Sequence, residues 1–218
     1  MNKKQLVFGM VCLFITSLVH AQDWSGKLYK YGEKYEGYII KNEGDTVKGF
    51  IECNNAYENQ NKVEFYSDPK NKKTKVVYKG DDIKGYKFGD KTYRSINYSG
   101  GLLPKPLRFN LLLKDGRIAR YAWYDRADNW MTMMKSPTET EEDFHKRLYP
   151  EKDVYQNGSD KPFENSAFGL KFAKFWAEQT KDYTEMSAKI AAKDKGYGML
   201  KIYEIIDEYN EWWAKNKK

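Results

Sequence analysis

Between residues 35 and 123 the chain is punctuated by turn residues at short, regular intervals, and this pattern constrains the fold more than any other feature. Tyr35–Lys41 and Thr46–Cys53 flank Asn42-Glu43-Gly44-Asp45, whose Gly and Asn/Asp tolerate the positive φ of a hairpin loop. Lys62–Ser67 and Thr74–Tyr78 flank Asp68-Pro69-Lys70-Asn71, and Ile83–Phe88 and Lys91–Tyr98 flank Gly89-Asp90. Leu107–Leu113 and Arg117–Trp123 flank Lys114-Asp115-Gly116. Within the second segment Val47, Gly49, Ile51 and Cys53 fall on one face of a strand. The pattern predicts about eight short strands in four hairpins, arranged as an antiparallel sandwich, roll or partly open barrel. Gly100-Gly101 and the prolines of Pro104-Lys105-Pro106 interrupt it before the last hairpin. Gly44-Asp45-Thr46-Val47-Lys48-Gly49-Phe50 is echoed by Gly80-Asp81-Asp82-Ile83-Lys84-Gly85-Tyr86, a faint repeat that a duplicated hairpin unit would leave but that turn-then-strand chemistry more often produces by chance.

After Trp123 the period changes from two to that of helices. Ser136-Pro137-Thr138-Glu139 supplies an N-cap Ser, a Pro for the first helical position and a Glu to complete a capping box. Glu141, Glu142 and Asp143 suit the positive end of that helix, His145, Lys146 and Arg147 its far end, and Pro150 stops it. Lys152 to Ser166 is polar, holds Asn157-Gly158-Ser159-Asp160 and reads as a loop. Leu170–Thr180 is a short helix with Phe172, Phe175 and Trp176 as its apolar stripe, and Asp182 with Glu185 forms a second capping box opening Tyr183–Ala192. Lys195-Gly196-Tyr197-Gly198 breaks the chain before a final helix with Met199, Ile202, Ile206, Tyr209 and Trp213 on one face. The fold expected is α+β, an antiparallel β unit over 22–130 with helices over 131–218 packed on it.

The first 21 residues have the pattern of a signal peptide: Asn2-Lys3-Lys4, an apolar stretch from Leu6 to Val19, then small residues in Val19-His20-Ala21. The apolar stretch is shorter than the ~20 residues a spanning helix needs. Cys12 lies inside it without the small residues that precede a lipidated cysteine. Cleavage is expected between Ala21 and Gln22, placing the mature chain in the periplasm, outside the cell or on its surface. That chain retains one cysteine, Cys53, and one histidine, His145, so it has no internal disulfide and relies on its core. With 18 Tyr and 6 Trp there is aromatic surface enough to build one, which excludes disorder along the whole length.

The same scarcity removes most chemistries. His145 sits beside Lys146 and Arg147 on a charged helix surface, no G-x-S-x-G elbow exists, and Glu141 or Glu142 with His145 makes only a single pair where a metal needs more. Phosphate-cradling glycine motifs are absent, so no catalytic residue, metal or cofactor is assigned. Hydrolysis of a glycan by two carboxylates stays open, although 31 acidic residues single out no pair. Tyr93, Tyr98, Tyr121, Trp123, Tyr124 and Trp130 form either a stacking surface for sugar rings or strand-pair packing. Trp130-Met131-Thr132-Met133-Met134 is apolar and adaptable, and Trp123, Trp130 and Met133 are the partner-binding candidates. Residues 22–123 carry 20 basic and 13 acidic side chains, a balance suited to peripheral contact with anionic lipid or lipopolysaccharide. Nucleic acid is excluded as a partner because no reader motif accompanies the charge.

Gly37-Tyr38-Ile39-Ile40 followed by Gly44–Ile51, the later Tyr78–Tyr86, and an ending that runs from Ala173-Lys174-Phe175-Trp176 through Tyr183 and Ile190 to Ile205, Tyr209 and Asn210 resemble a loose family of functionally uncharacterised exported proteins of Bacteroidetes-type bacteria. The resemblance covers about two-thirds of the mature chain, rests on turns and packing positions, and departs at the polar segment 136–166. It implies export and lineage and carries no catalytic residues. Taken together, these readings lead to the expectation of an exported envelope protein that binds another envelope protein or a surface glycan without catalysis. The alternatives are a glycan hydrolase and a lipid- or lipopolysaccharide-associated protein.

Overall fold

The structure is a computed structural model that describes residues 29–98, 106–127, 130–164 and 171–216. The expected leader over 1–21, Cys12 and the Gly100-Gly101 and Pro104 break lie outside these residues, as do the side chains of Trp130, Met131 and Glu142.

The four expected hairpins are present: β1 (Lys34–Lys41) with β2 (Thr46–Glu52), β3 (Val63–Tyr66) with β4 (Lys75–Tyr78), β5 (Ile83–Phe88) with β6 (Lys91–Ile96), and β7 (Arg108–Lys114) with β8 (Ile118–Tyr124). Gly44 takes the positive φ (105°) that its hairpin loop requires. Two further strands, β9 (Glu151–Asn157) and β10 (Phe163–Glu164), bring the sheet to ten. All pairings are antiparallel, in the order β10-β9-β8-β7-β6-β5-β1-β2-β3-β4, and the sheet does not close. β1 therefore lies in the interior, paired on one side with its hairpin mate and on the other with β5, where Ile39 faces Tyr86. Phe65 lies over Gly49, filling the space a side chain on that strand position would take.

Alternation along β8 sorts the core into two faces. Ala122 and Tyr124 point to the side holding Ile39, Ile51, Tyr86, Phe88, Tyr93, Phe109 and Leu111. A helix absent from the sequence expectation, α1 (Ala56–Asn61), lies there; Asn55 caps it by accepting from Glu58 N–H at 2.9 Å. Its Gln60 holds both backbone groups of Tyr124, donating to the carbonyl at 2.9 Å and accepting from the N–H at 2.8 Å. Ile118, of the same parity on β8, packs with Tyr155 against α4 (Phe172–Gln179), α5 (Thr184–Ala192) and α6 (Ile202–Asn216). The opposite face carries Ile96, Ala119, Tyr121, Trp123 and Val154. A four-residue helix, α2 (Trp130–Met133), and α3 (Glu141–Leu148) connect β8 to β9. Among the described residues no helix is long and apolar enough to cross a membrane.

Several local expectations change. The segment read as a loop after Lys152 is instead β9 and β10: β9 pairs with β8 from Ile118↔Asn157 to Tyr124↔Glu151, so the sheet runs beyond residue 130. Its polar composition hid a strand whose Val154 and Tyr155 are both fully buried, one on each face. α3 starts four residues later than expected, with Thr140 as N-cap accepting from Asp143 N–H at 3.1 Å. Ser136 and Glu139 close a turn instead, and Glu139 binds Arg147 through both carboxylate oxygens at 2.9 and 2.7 Å. Asp182 does not cap α5; it accepts from Tyr209 Oη at 2.8 Å, while Glu185 pairs with Lys189. Met199 lies before α6 in a single 3-10 turn, so the buried face of that helix is Ile202, Ile205, Ile206 and Tyr209. His145 is half-buried, its Nδ1 sharing a hydrogen bond with Tyr31 Oη at 3.1 Å.

Candidate interaction surface

The residues singled out for binding have different fates. Trp123 is 6% exposed. Its indole N–H donates to Asp125 at 2.8 Å, Asp125 is held in turn by Lys152, and the ring meets Tyr98 edge to face at 5.1 Å. Tyr93, Tyr121 and Tyr124 are equally enclosed, and Tyr98 is half-buried, so these members of the aromatic set weighed as a sugar-stacking surface serve as packing. The period-two alternation that makes these residues look like a stripe divides them between opposite faces of the sheet. Met133, at 39% exposure, and Met134 remain on the surface at the end of α2. Trp130 begins α2, and its side chain is not among those described.

Several of the titratable groups are engaged as structural partners. Glu151 and Asp153 share one face of β9, two residues apart, the spacing at which a carboxylate pair for glycan hydrolysis would be sought. Tyr124 Oη donates to Glu151 at 2.8 Å, and Tyr203 and Tyr155 donate to Asp153 at 2.6 and 3.1 Å. The Arg120 guanidinium stacks 4.1 Å from the Tyr203 ring. These contacts tie α6 to the sheet. The Cys53 thiol is fully buried, and burial pushes it up to about 12 against the opposing pull of the Lys91 charge, so it is a packed apolar group rather than a nucleophile. Among the described residues no group of three or more His, Cys, Asp or Glu is placed to hold a metal ion.

What the fold does offer is an open sheet edge. β4 pairs only with β3, from Val63↔Tyr78 to Tyr66↔Lys75, and no described strand lies on its other side. Its two central residues, Val76 and Val77, are 43% and 45% exposed. Since neighbours on a strand point to opposite faces, both faces of the edge carry apolar surface open to solvent. The loop feeding this edge is held firmly. Asp68 accepts from Lys70 N–H at 2.9 Å, Asn71 from Lys73 N–H at 3.0 Å, and Thr74 Oγ1 donates to the carbonyls of Asp68 and Asn71.

Charge concentrates on and around the same element. From Pro69 to Gly80 there are five lysines (Lys70, Lys72, Lys73, Lys75 and Lys79) and no acid. Glu64 on β3 binds both Lys62, at 2.8 Å, and Lys75. Burial alone would raise its carboxyl; the two ammonium groups more than reverse that and hold it below its ordinary value. Lys34 adds a further cation over the Tyr66 ring at 4.7 Å. The edge is thus preorganised, apolar on both faces and surrounded by positive charge. In sequence the signal was the run from Lys70 to Lys79 around two valines, but which strand ends the sheet is set by topology and cannot be read locally.

Comparison with known proteins finds no matching family model, no matching curated protein and no matching solved structure.

Proposed function

We propose that this chain is an exported, non-enzymatic binding protein of the cell envelope whose open edge at β4 receives an extended, acidic segment of a partner protein as an eleventh strand. The observation that carries the reading is the exposure of Val76 and Val77 on an unpaired edge set among five lysines. Strand addition takes its affinity from main-chain hydrogen bonds and its specificity from alternate side chains, and both are available here. The surrounding lysines steer an acidic segment in and repel a second copy of the same edge. The pattern of the first 21 residues supports export.

The test uses two short peptides, one alternating Glu with Val and one alternating Lys with Val, titrated against the purified protein. The acidic peptide is expected to bind, with backbone-amide shifts centred on Lys75–Tyr78. Lys72→Glu with Lys73→Glu is expected to weaken it about tenfold, and raised salt to weaken it further. Equal affinity for the two peptides, or no binding of either, would sink the reading.

A further inference from the structure

Two rows of cross-strand neighbours run out to β4 and stop there, one on each face of the sheet. The first passes from Tyr35 to Ile51, Phe65 and Val76. Ile51 and Phe65 are buried in the core and Tyr35 packs against it, so this row is apolar throughout. Its last member, Val76, is open to solvent. The second row passes from Glu36 to Phe50, Tyr66 and Lys75, and Lys75 is exposed as well. Directly opposed side chains are the unit by which a sheet selects its next strand. A residue beside Val76 continues an apolar row, and a residue beside Lys75 meets a cation.

The charge around Lys75 is unbalanced. Glu64 is shared between Lys62 and Lys75, one carboxylate against two ammonium groups. Lys34 adds a third cation over the Tyr66 ring, and Glu52 accepts from the Tyr66 hydroxyl at 2.6 Å. Three cations thus face two carboxylates at that corner, and a carboxylate brought beside Lys75 makes the numbers equal.

The two ends of β4 differ in the same sense. The turn that enters it carries Lys70, Lys72 and Lys73 against Asp68, all exposed. The residues that leave it carry Lys79 against Asp81 and Asp82, and Asp82 accepts from the Lys79 N–H at 2.7 Å. The Lys75 end is therefore positive and the Tyr78 end is not. Every pairing in the sheet is antiparallel, and a strand added in that sense meets Tyr78 first and Lys75 last.

Resting on the reading of β4 as a docking edge, we propose that this edge also fixes the direction of the segment it receives. The segment lies antiparallel to β4, with an apolar residue beside Val76 and, next in sequence, an acidic residue beside Lys75. Further acids follow towards Lys73 and Lys72. Read from its N-terminus, the partner segment is apolar first and acidic last, and Val76 and Lys75 are the residues that set this order.

The experiment compares the peptide Thr-Val-Val-Glu-Glu with its reverse, Glu-Glu-Val-Val-Thr, both acetylated and amidated so that composition and charge are identical. The reverse peptide presents the same side chains to Val76 and Lys75 only by lying parallel to β4. The apolar-first peptide is expected to bind several-fold more tightly. A nitroxide on its C-terminus is expected to broaden the amides of Lys72 and Lys73 rather than those of Tyr78 and Lys79. Lys75→Met is expected to lower its affinity several-fold, and to lower it less once the glutamate beside Lys75 is replaced by glutamine, as a direct pair requires. Lys62 still holds Glu64 in that variant, so its thermal melt should match the parent. Equal affinity for the two peptides, with amide shifts at Lys75–Tyr78 for both, overturns the fixed direction and leaves the docking edge standing. Broadening at Tyr78 and Lys79 by the apolar-first peptide overturns it too, because the guest then runs parallel. Binding of neither peptide removes the docking edge, and the direction falls with it.

Discussion

The side-chain amide of Asn210 pairs with both backbone groups of Ile118, accepting from its N–H at 2.8 Å and donating to its carbonyl at 2.9 Å across 92 residues of sequence. Ile118 is fully buried at the start of β8, so this amide does for α6 what a neighbouring strand would do, and it locks the helical layer to the sheet. Asn210→Leu leaves a buried N–H and carbonyl unpaired and is expected to cost about 2–4 kcal/mol. Gly116→Ala should reproduce part of the loss, because a methyl group there overlaps the Asn210 amide. Urea titration with an unchanged slope checks both.

Trp123 and Met133 should separate in mutational behaviour. Trp123→Ala removes a buried indole and its hydrogen bond to Asp125, with an expected cost of about 3–5 kcal/mol. Met133→Ser touches an exposed side chain and is expected to stay within about 0.5 kcal/mol. A Trp123→Ala variant that melts with the parent would contradict the packing described for that face.

Alkaline pH should weaken the fold in a defined window. The Cys53 thiol is raised to about 12 by burial, against 9.0 for a free thiol, so the folded state holds its proton where the unfolded chain has released it. Stability is therefore full below pH 9 and declines as pH rises from 9 towards 12, by at most about 1.4 kcal/mol per pH unit for one group. Cys53→Ala should flatten the early part of that decline, before the buried Tyr86 and Tyr93 contribute their own. Native Cys53 is likewise expected to resist iodoacetamide until the chain unfolds.

The Glu64 carboxyl, lowered by Lys62 and Lys75, acts in the other direction. Its contribution is present above the ordinary value of 4.5 and is lost as pH falls through the lowered folded value. Glu64→Gln is expected to lower the melting temperature at neutral pH and to narrow the difference between pH 7 and pH 3, read by thermal melts at both. Since Glu64 anchors Lys75 at the head of β4, hydrogen exchange in Lys75–Tyr78 should quicken as well.

Local chemistry made the hairpins legible. Asn42–Asp45, Gly89-Asp90 and Lys114–Gly116 announce their turns through residues whose backbone preferences act within a few positions. β9 escaped because Glu151, Lys152, Asp153 and Gln156 surround Val154 and Tyr155 with polarity, and their hydrogen-bonding and ionic partners (Tyr124, Asp125, Tyr203) come from elsewhere in the chain. The cap of α3 slipped for a related reason: Ser136 and Thr140 are both competent N-caps, and the choice was made by Arg147 claiming Glu139. The aromatic residues proposed for binding were visible as residues, but their division between faces, and the standing of β4 as an edge, depend on strand pairing, including that of β1 with β5 across 42 or more positions of chain.

The interior position of β1 bears on the order in which the sheet is assembled. A chain folding from its N-terminus completes β1 to β4 as a meander with two bare flanks, one along β1 and one along β4. β5 then crosses back and closes the flank along β1, and every later strand is laid down outward from β5 to β10. The flank along β4 is thus among the first surfaces the protein makes, and among the described residues no later strand covers it.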